Sequence, residues 1–224
     1  MEEPDRPIRS NLKFDVVEYL RRQILVGQLK PGSRIPQDEV TQLLGISKLP
    51  VREALITLES EGLVDNIPRR GAFVAPLEPE DFLDHFAIYG ALSGIAAERA
   101  ALTLTEEELA RLEELLELML TKAKSPDVTS YNEEFHRIIN LRGASRRLRG
   151  QLRQLAQTIP VHLEPDTDNW PGWAVQDHAQ LVAAFRGRDK DAAGKLMREH
   201  LTKAGPPAVA DLKKRGFWDA RPPS

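Results

Sequence analysis

The sequence predicts a mainly α-helical protein in two parts: an N-terminal unit of three helices and a β-hairpin over residues 1–76, and an all-α bundle of six or seven helices over 81–204. A linker over 77–80 joins them, and 205–224 follows as a C-terminal tail. Three observations predict this. Apolar residues recur at helical spacing through most of the chain. Two short strand-like runs bracket one basic turn near residue 70. No apolar–polar alternation competes with the 3.6-residue period after residue 79. At 224 residues the chain can hold one or two domains, each with its own core.

The first helix rests on Phe14, Val17, Leu20, Ile24 and Leu25, and Pro31-Gly32 breaks it. A short helix is expected over about 37–44, with Gly45 as the turn. Ser47 is placed to cap the next helix, over about 48–61. Pro50 falls in its first turn, where a missing N–H costs little. Its inner face is Val51, Ala54, Leu55 and Leu58, and Gly62 ends it. Leu63-Val64 and Ala72-Phe73-Val74 read as strands around the turn Ile67-Pro68-Arg69-Arg70-Gly71. Three helices followed by such a hairpin form a winged helix-turn-helix pattern.

Beyond the linker, helices are expected over about 79–102, 105–124, 127–142, 144–159, 171–187 and 189–204, with one more over about 207–215. The polar, proline-flanked stretch 160–171 reads as a loop, and the end from Arg221 as frayed.

Composition narrows the function classes. Hydrophobic residues make up 41% and charged residues 29%, and no apolar run is long enough for a membrane helix. The start, MEEPDRPIRS, is acidic and polar, unlike a signal peptide, so a cytoplasmic protein with no membrane partner is expected. Zero cysteines exclude disulfides, thiolate zinc sites and cysteine nucleophiles. A net charge of −3 argues against a broadly basic nucleic-acid coat but not against a local patch. No Walker loop, dinucleotide fingerprint or Gly-x-Ser-x-Gly elbow occurs.

A recognition helix needs cationic and polar groups in its first turns, facing the major groove. Ser47, Lys48 and Arg52 meet that need, opposite the apolar face, while Arg69 and Arg70 beside Gly71 could reach backbone or minor groove. The alternative for each is an ordinary solvated charge.

The run Ile46-Ser-Lys-Leu-Pro-Val-Arg-Glu-Ala-Leu55, followed by Glu61-Gly62-Leu63-Val64 and Arg70-Gly71-Ala72-Phe73-Val74, resembles the DNA-binding domain of GntR-family bacterial transcription regulators, continuously from about Leu12 to Val74. The resemblance implies DNA contacts from Lys48, Arg52, Arg69 and Arg70. The commoner family text at Lys48-Leu49 is Arg-Thr, and lysine lacks arginine's planar fork for bidentate guanine reading.

Three of the five histidines lie in apolar stripes: His136 near Phe135 and Ile139, His178 among Val175, Leu181, Val182 and Phe185, and His200 among Ala193, Leu196 and Met197. Each is placed to point into the bundle from a different helix. Singly, such a histidine is more often a core residue; together with Asn132, one turn before His136, they leave a packed core and a metal site both open. Imidazoles plus one oxygen ligand suit zinc or nickel, with manganese the third candidate.

The helical half is similar to the FCD-like effector domain of the FadR-type GntR subfamily, whose metal-binding members show Asp-x-x-Phe-His, a later His and a final His twenty-two residues on. Asn132-Glu-Glu-Phe-His136, His178 and His200 match, with Asn in place of Asp. The resemblance implies a divalent metal on Asn132, His136, His178 and His200. Where many relatives carry Arg-x-x-Leu-Glu, with the Arg able to clamp an effector carboxylate, this chain has Tyr89-Gly-Ala-Leu-Ser93, which gives Tyr89 and Ser93 the effector-pocket positions.

Other signals are expected to be structural. His85 among Phe82, Phe86 and Tyr89 reads as a core or inter-domain contact, and the Arg142–Arg153 run as a solvated helix face. The 109–120 heptad run reads as helix core, with a dimer contact as the alternative role. His162 with Glu164, Asp166 and Asp168 lacks the glycine and final glutamate of a calcium loop.

The expected function is a DNA-binding transcription regulator, a repressor, that binds a palindromic operator as a homodimer and responds to a small carboxylate-bearing metabolite through the metal. The alternatives are a metal-sensing regulator and a metal-dependent hydrolase on the three-histidine centre.

Overall fold

A computed structural model describes residues 12–123, 125, 127–159 and 172–219. The loop expected over 160–171, with His162, and the end from Arg221 lie outside them. The chain forms two compact units, 1–78 with 210–224, and 79–209.

In the first unit, α1 (Leu12–Leu25) packs on α3 (Lys48–Ser60), joining Val16, Val17, Leu20 and Ile24 to Val51, Ala54, Leu55 and Leu58. Phe14, which periodicity assigns to the inner face, lies at its edge and is half exposed, because the buried stripe centres on Val17, Leu20 and Ile24. Between them, α2 (Gln37–Leu44) ends on Gly45 in a left-handed conformation, the turn the sequence places there. β1 (Val64–Ile67) and β2 (Gly71–Val74) pair antiparallel from Val64↔Val74 to Ile67↔Gly71. A third segment borders this hairpin: Ile35 N–H donates to Ala72 O, and Val74 N–H to Ser33 O, both at 2.9 Å. A buried ion pair ties α1 to the end of α3. The Arg21 guanidinium, 4% exposed, holds Glu61 in two contacts of 2.8 Å and also bonds Glu18.

The stretch read as a tail carries the helix expected over about 207–215. It forms α10 (Gly205–Lys214), within which the division between units falls. Leu212 and Phe217 are buried, Lys30 Nζ donates to Gly216 O, and Trp218 Nε1 donates to Leu77 O at 2.9 Å. Leu77, read as linker, is itself buried. Isolated apolar residues without a period give no pattern from which to expect this.

Among the described residues the second unit holds seven helices, counting the start of α10: α4 (Pro79–Thr103), α5 (Glu106–Thr121), α6 (Val128–Gly143), α7 (Arg146–Thr158), α8 (Gly172–Arg186) and α9 (Lys190–Thr202) precede it. Thr105 and Glu108 form a reciprocal capping box that starts α5, and Asp189 caps α9. α4 is central, packing against α6, α7, α8 and α9. Its inner stripe is Ala96, Ala97, Ala100 and Ala101, all fully buried, and small side chains let the neighbours approach closely. The end of α6 comes so near that a Cβ on Gly143 would lie 1.8 Å from Ala96 O. Leu109, Leu112, Leu115 and Met119 complete the core from α5. The arginine run is mainly surface: Arg142 pairs with Glu108 at 2.6 Å, and Arg149 caps the end of α6 through Leu141 O.

Candidate nucleic-acid interface and metal centre

The first surface is built on α3 and the hairpin. Ser47 occupies the N-cap position with extended backbone (φ −77°, ψ 168°), but its side chain does not accept the capping hydrogen bond expected of it. Lys48 is exposed, yet Nζ lies 2.6 Å from Asp38 Oδ1, and this hydrogen-bonded lysine holds the Asp38 carboxyl below its usual range. Arg52 projects from the same helix, exposed. At the hairpin tip Arg69 adopts a left-handed backbone (φ +64°), a strained conformation for a residue with a Cβ, and Gly71 follows at φ +106°. Arg69 and Arg70 are exposed, with the Arg70 guanidinium 5.6 Å from the Phe73 ring centre. The sequence reading missed Arg34. It bridges to Phe73, and its guanidinium covers Gly71 so closely that a Cβ there would meet Nε at 3.3 Å. The wing tip thus carries three arginines.

The second site lies inside the helical unit. α6, α8 and α9 bring His136, His178 and His200 together, all buried, with one ligand nitrogen from each within 4.8 Å of the others. His136 Nε2 is the hub, 3.4 Å from His178 Nε2 and 3.3 Å from His200 Nε2. Three nitrogens bonded to one ion at about 2.0–2.1 Å stand roughly 3.3–3.4 Å apart at tetrahedral angles. Burial, and secondarily the neighbouring His200, lowers the His136 pKa to about 3, and burial drives His178 well below the usual range, so both rings are neutral.

Neutral imidazoles in this arrangement are poorly served by protons alone. A proton on His136 Nε2 points at one neighbour and leaves the other nitrogen facing it unpaired. A divalent cation satisfies all three lone pairs at once, so the donor set fits a metal. Asn132 is buried one turn before His136 on α6, while Phe135 packs 4.6 Å from the His178 ring.

A further residue escaped the sequence reading. Asp177, buried beside His178 on α8, places Oδ2 3.4 Å from His200 Nδ1, and Lys203 Nζ grips both its oxygens at 3.0 and 3.1 Å. Burial works against the ionised carboxyl, but the hydrogen bonds from His200 and Lys203 outweigh it and hold its pKa down. An ionised Asp177 favours the proton on Nδ1, leaving the Nε2 lone pair of His200 for the cluster. An aspartate at a buried helical position was the available signal.

Of the two positions assigned to an effector, Tyr89 hydrogen-bonds Asn140, and burial raises its pKa to about 12. Ser93 is 1% exposed, and its Oγ has no hydrogen-bond partner among the described residues. His85 is buried against Phe86 and Tyr89, with its pKa lowered to about 4 by burial.

Residues 12–74 match the bacterial regulatory proteins of the gntR family, and residues 84–203 match the FCD domain. An uncharacterized HTH-type transcriptional regulator of Mycobacterium tuberculosis strain H37Rv is 32% identical over 181 residues, covering 81% of this chain and 74% of that protein. The HTH-type transcriptional repressor RspR of Escherichia coli K12 is 25% identical over 203 residues, or 88% of this chain and 87% of its own length. Among solved structures, E. coli McbR/YncC superposes with a TM-score of 0.64 at 26% identity, spanning 91% of this chain and 97% of that one.

Proposed function

The chain belongs to the gntR family of bacterial regulatory proteins, a DNA-binding transcription regulator with an FCD domain and not an enzyme, and on that premise we propose that it is a metal-dependent, effector-controlled repressor acting as a homodimer in the cytoplasm. A dimer presents two recognition helices and two wings, which suits a palindromic operator. Lys48, Arg52, Arg69 and Arg70 contact the DNA, with Ser47 and Gly71 shaping the backbone beside them. Arg52 reads base edges, while the wing arginines anchor to backbone or minor groove. The repressor sense is supported by the RspR relative, a transcriptional repressor.

The observation that carries the control mechanism is the convergence of three buried Nε2 atoms on α6, α8 and α9. His136, His178 and His200, with Asn132 as a neutral oxygen ligand, would hold zinc or nickel, manganese being the third candidate. A metal held by these residues would supply a Lewis-acid centre for an oxygen-bearing effector. Because no ligand in this set is charged, an ion bound there would keep its full charge and would favour an anionic, carboxylate-bearing metabolite without an arginine at the Tyr89 and Ser93 positions. Asp177 and Lys203 keep the His200 ring oriented.

The test uses full-length protein purified without a histidine tag. Metal analysis should find close to one ion per chain. Binding to a duplex enriched by the protein from a random library should respond to a panel of organic acids only in the metal-loaded form. A response to chelator alone, with no acid active, favours the metal-sensing alternative. Less than about a tenth of an ion per chain, with no stability restored by added metal, reduces the cluster to three packed core histidines.

A further inference from the structure

The outward face of the recognition helix is not polar throughout. Leu49, in the first turn of α3, is 64% exposed and takes no part in the core, which α3 builds from Val51, Ala54, Leu55 and Leu58. It lies between two cations, with Lys48 directly before it and Arg52 one turn on. Lys48 is paired with Asp38 at 2.6 Å. Ile56, also largely exposed, follows Arg52 by a further turn on the same face.

A leucine carried into a major groove meets base edges lined with hydrogen-bond donors and acceptors. It can satisfy none of them and strips water from those it covers. The one apolar group among the four natural base pairs there is the 5-methyl of thymine. The cations on either side hold this face against the polyanion, but neither distinguishes bases by a methyl group. The chemistry of the face therefore divides: Lys48 and Arg52 supply charge and polar contacts, and Leu49 supplies the apolar one.

Resting on the DNA-reading role given above to Lys48 and Arg52, we propose that Leu49 is a specificity residue that packs on a thymine methyl in each operator half-site, next to the base pair contacted by Arg52. The half-site then carries a T·A pair at one fixed position, chosen by shape and apolar contact.

Deoxyuridine isolates this contact, because it lacks the methyl and keeps every hydrogen-bonding group of thymine. The probe is the duplex that full-length wild-type protein enriches from a random library, with each thymine replaced in turn. Losing one buried methyl is worth roughly a fourfold change in affinity, or about fifteenfold when both half-sites are altered together. One thymine position per half-site should show that loss. Leu49→Ser should bind the thymine and deoxyuridine duplexes alike. Leu49→Thr, which keeps a methyl and tolerates the exposed position, should retain part of the discrimination if the serine variant fails to fold. The proposal is overturned if no thymine replacement weakens wild-type binding, or if the loss persists undiminished in Leu49→Ser or, should that variant not fold, in Leu49→Thr. If the wild type enriches no duplex at all, the DNA-reading role of α3 falls first and takes this assignment with it.

Discussion

Two glycine-to-alanine substitutions in the helical unit should move stability in opposite directions. Gly150 lies inside α7 with nothing within 4 Å of a Cβ placed on it. Alanine there removes unfolded-chain freedom at no steric cost, and a helix interior gains about 1 kcal/mol. Gly143 ends α6, where the same Cβ would lie 1.8 Å from Ala96 O, 2.7 Å from Ala96 C and 2.9 Å from Ala100 N. All three are backbone atoms of the central helix, so no side chain can swing aside. Restoring ordinary contact of about 3.4 Å requires α6 and α4 to separate by roughly 1.6 Å. Forced overpacking of this kind costs about 1–3 kcal/mol or more, and rigid backbone on both sides puts Gly143 at the upper end. For a chain of this size that is a fall in melting temperature of roughly 5–10 °C for Gly143→Ala, against a rise of about 2–4 °C for Gly150→Ala. The displacement also moves the helix that carries His136, so zinc added to Gly143→Ala should raise its melting temperature less than it does the wild type's. Calorimetry with and without one equivalent of zinc measures both effects. A Gly143→Ala protein that melts at or above the wild-type temperature would refute the close approach of α6 to α4 and the argument built on it.

Asp177→Asn keeps the shape of its side chain but lowers its power to fix the His200 tautomer. It should weaken zinc binding about 10–100-fold by competition titration while far-ultraviolet circular dichroism stays unchanged; unchanged affinity would make the aspartate a partner of Lys203 only. Arg21→Ala leaves the Glu61 carboxylate buried without its three guanidinium contacts and should destabilise the chain by about 3–5 kcal/mol in urea, whereas Arg21→Ala with Glu61→Ala together should recover much of that loss. In metal-free protein, His136 titrates near about 3 and His178 well below the usual range, while in the unfolded chain both return to about 6.5. Below that value the unfolded chain takes up protons that the native bundle refuses. Stability should therefore be full above about pH 6.5 and fall toward pH 3, by up to about 1.4 kcal/mol per pH unit for each histidine. A melting temperature that does not change between pH 7 and pH 5 would contradict their neutral burial.

The sequence by itself determined the order and type of the elements, because a 3.6-residue apolar period and Gly or Pro breaks act within one turn of the chain. It placed Val51, Ala54, Leu55 and Leu58 on the inner face of α3, the basic turn between two strands, and each of three histidines on the buried stripe of its own helix. Features between elements were not legible in this way. That Nε2 of His136, His178 and His200 should converge within 3.3–3.4 Å depends on how far apart α6, α8 and α9 stand and how each is rotated. Such distances are set by small-residue contacts such as Gly143 against Ala96, which periodicity does not encode. Asp177 on His200, Arg21 on Glu61, Arg34 over Gly71, Trp218 on Leu77 and Lys30 on Gly216 join residues 23 to 186 positions apart. Residues that meet only after the chain has folded leave no local pattern, and the tertiary structure alone decided them.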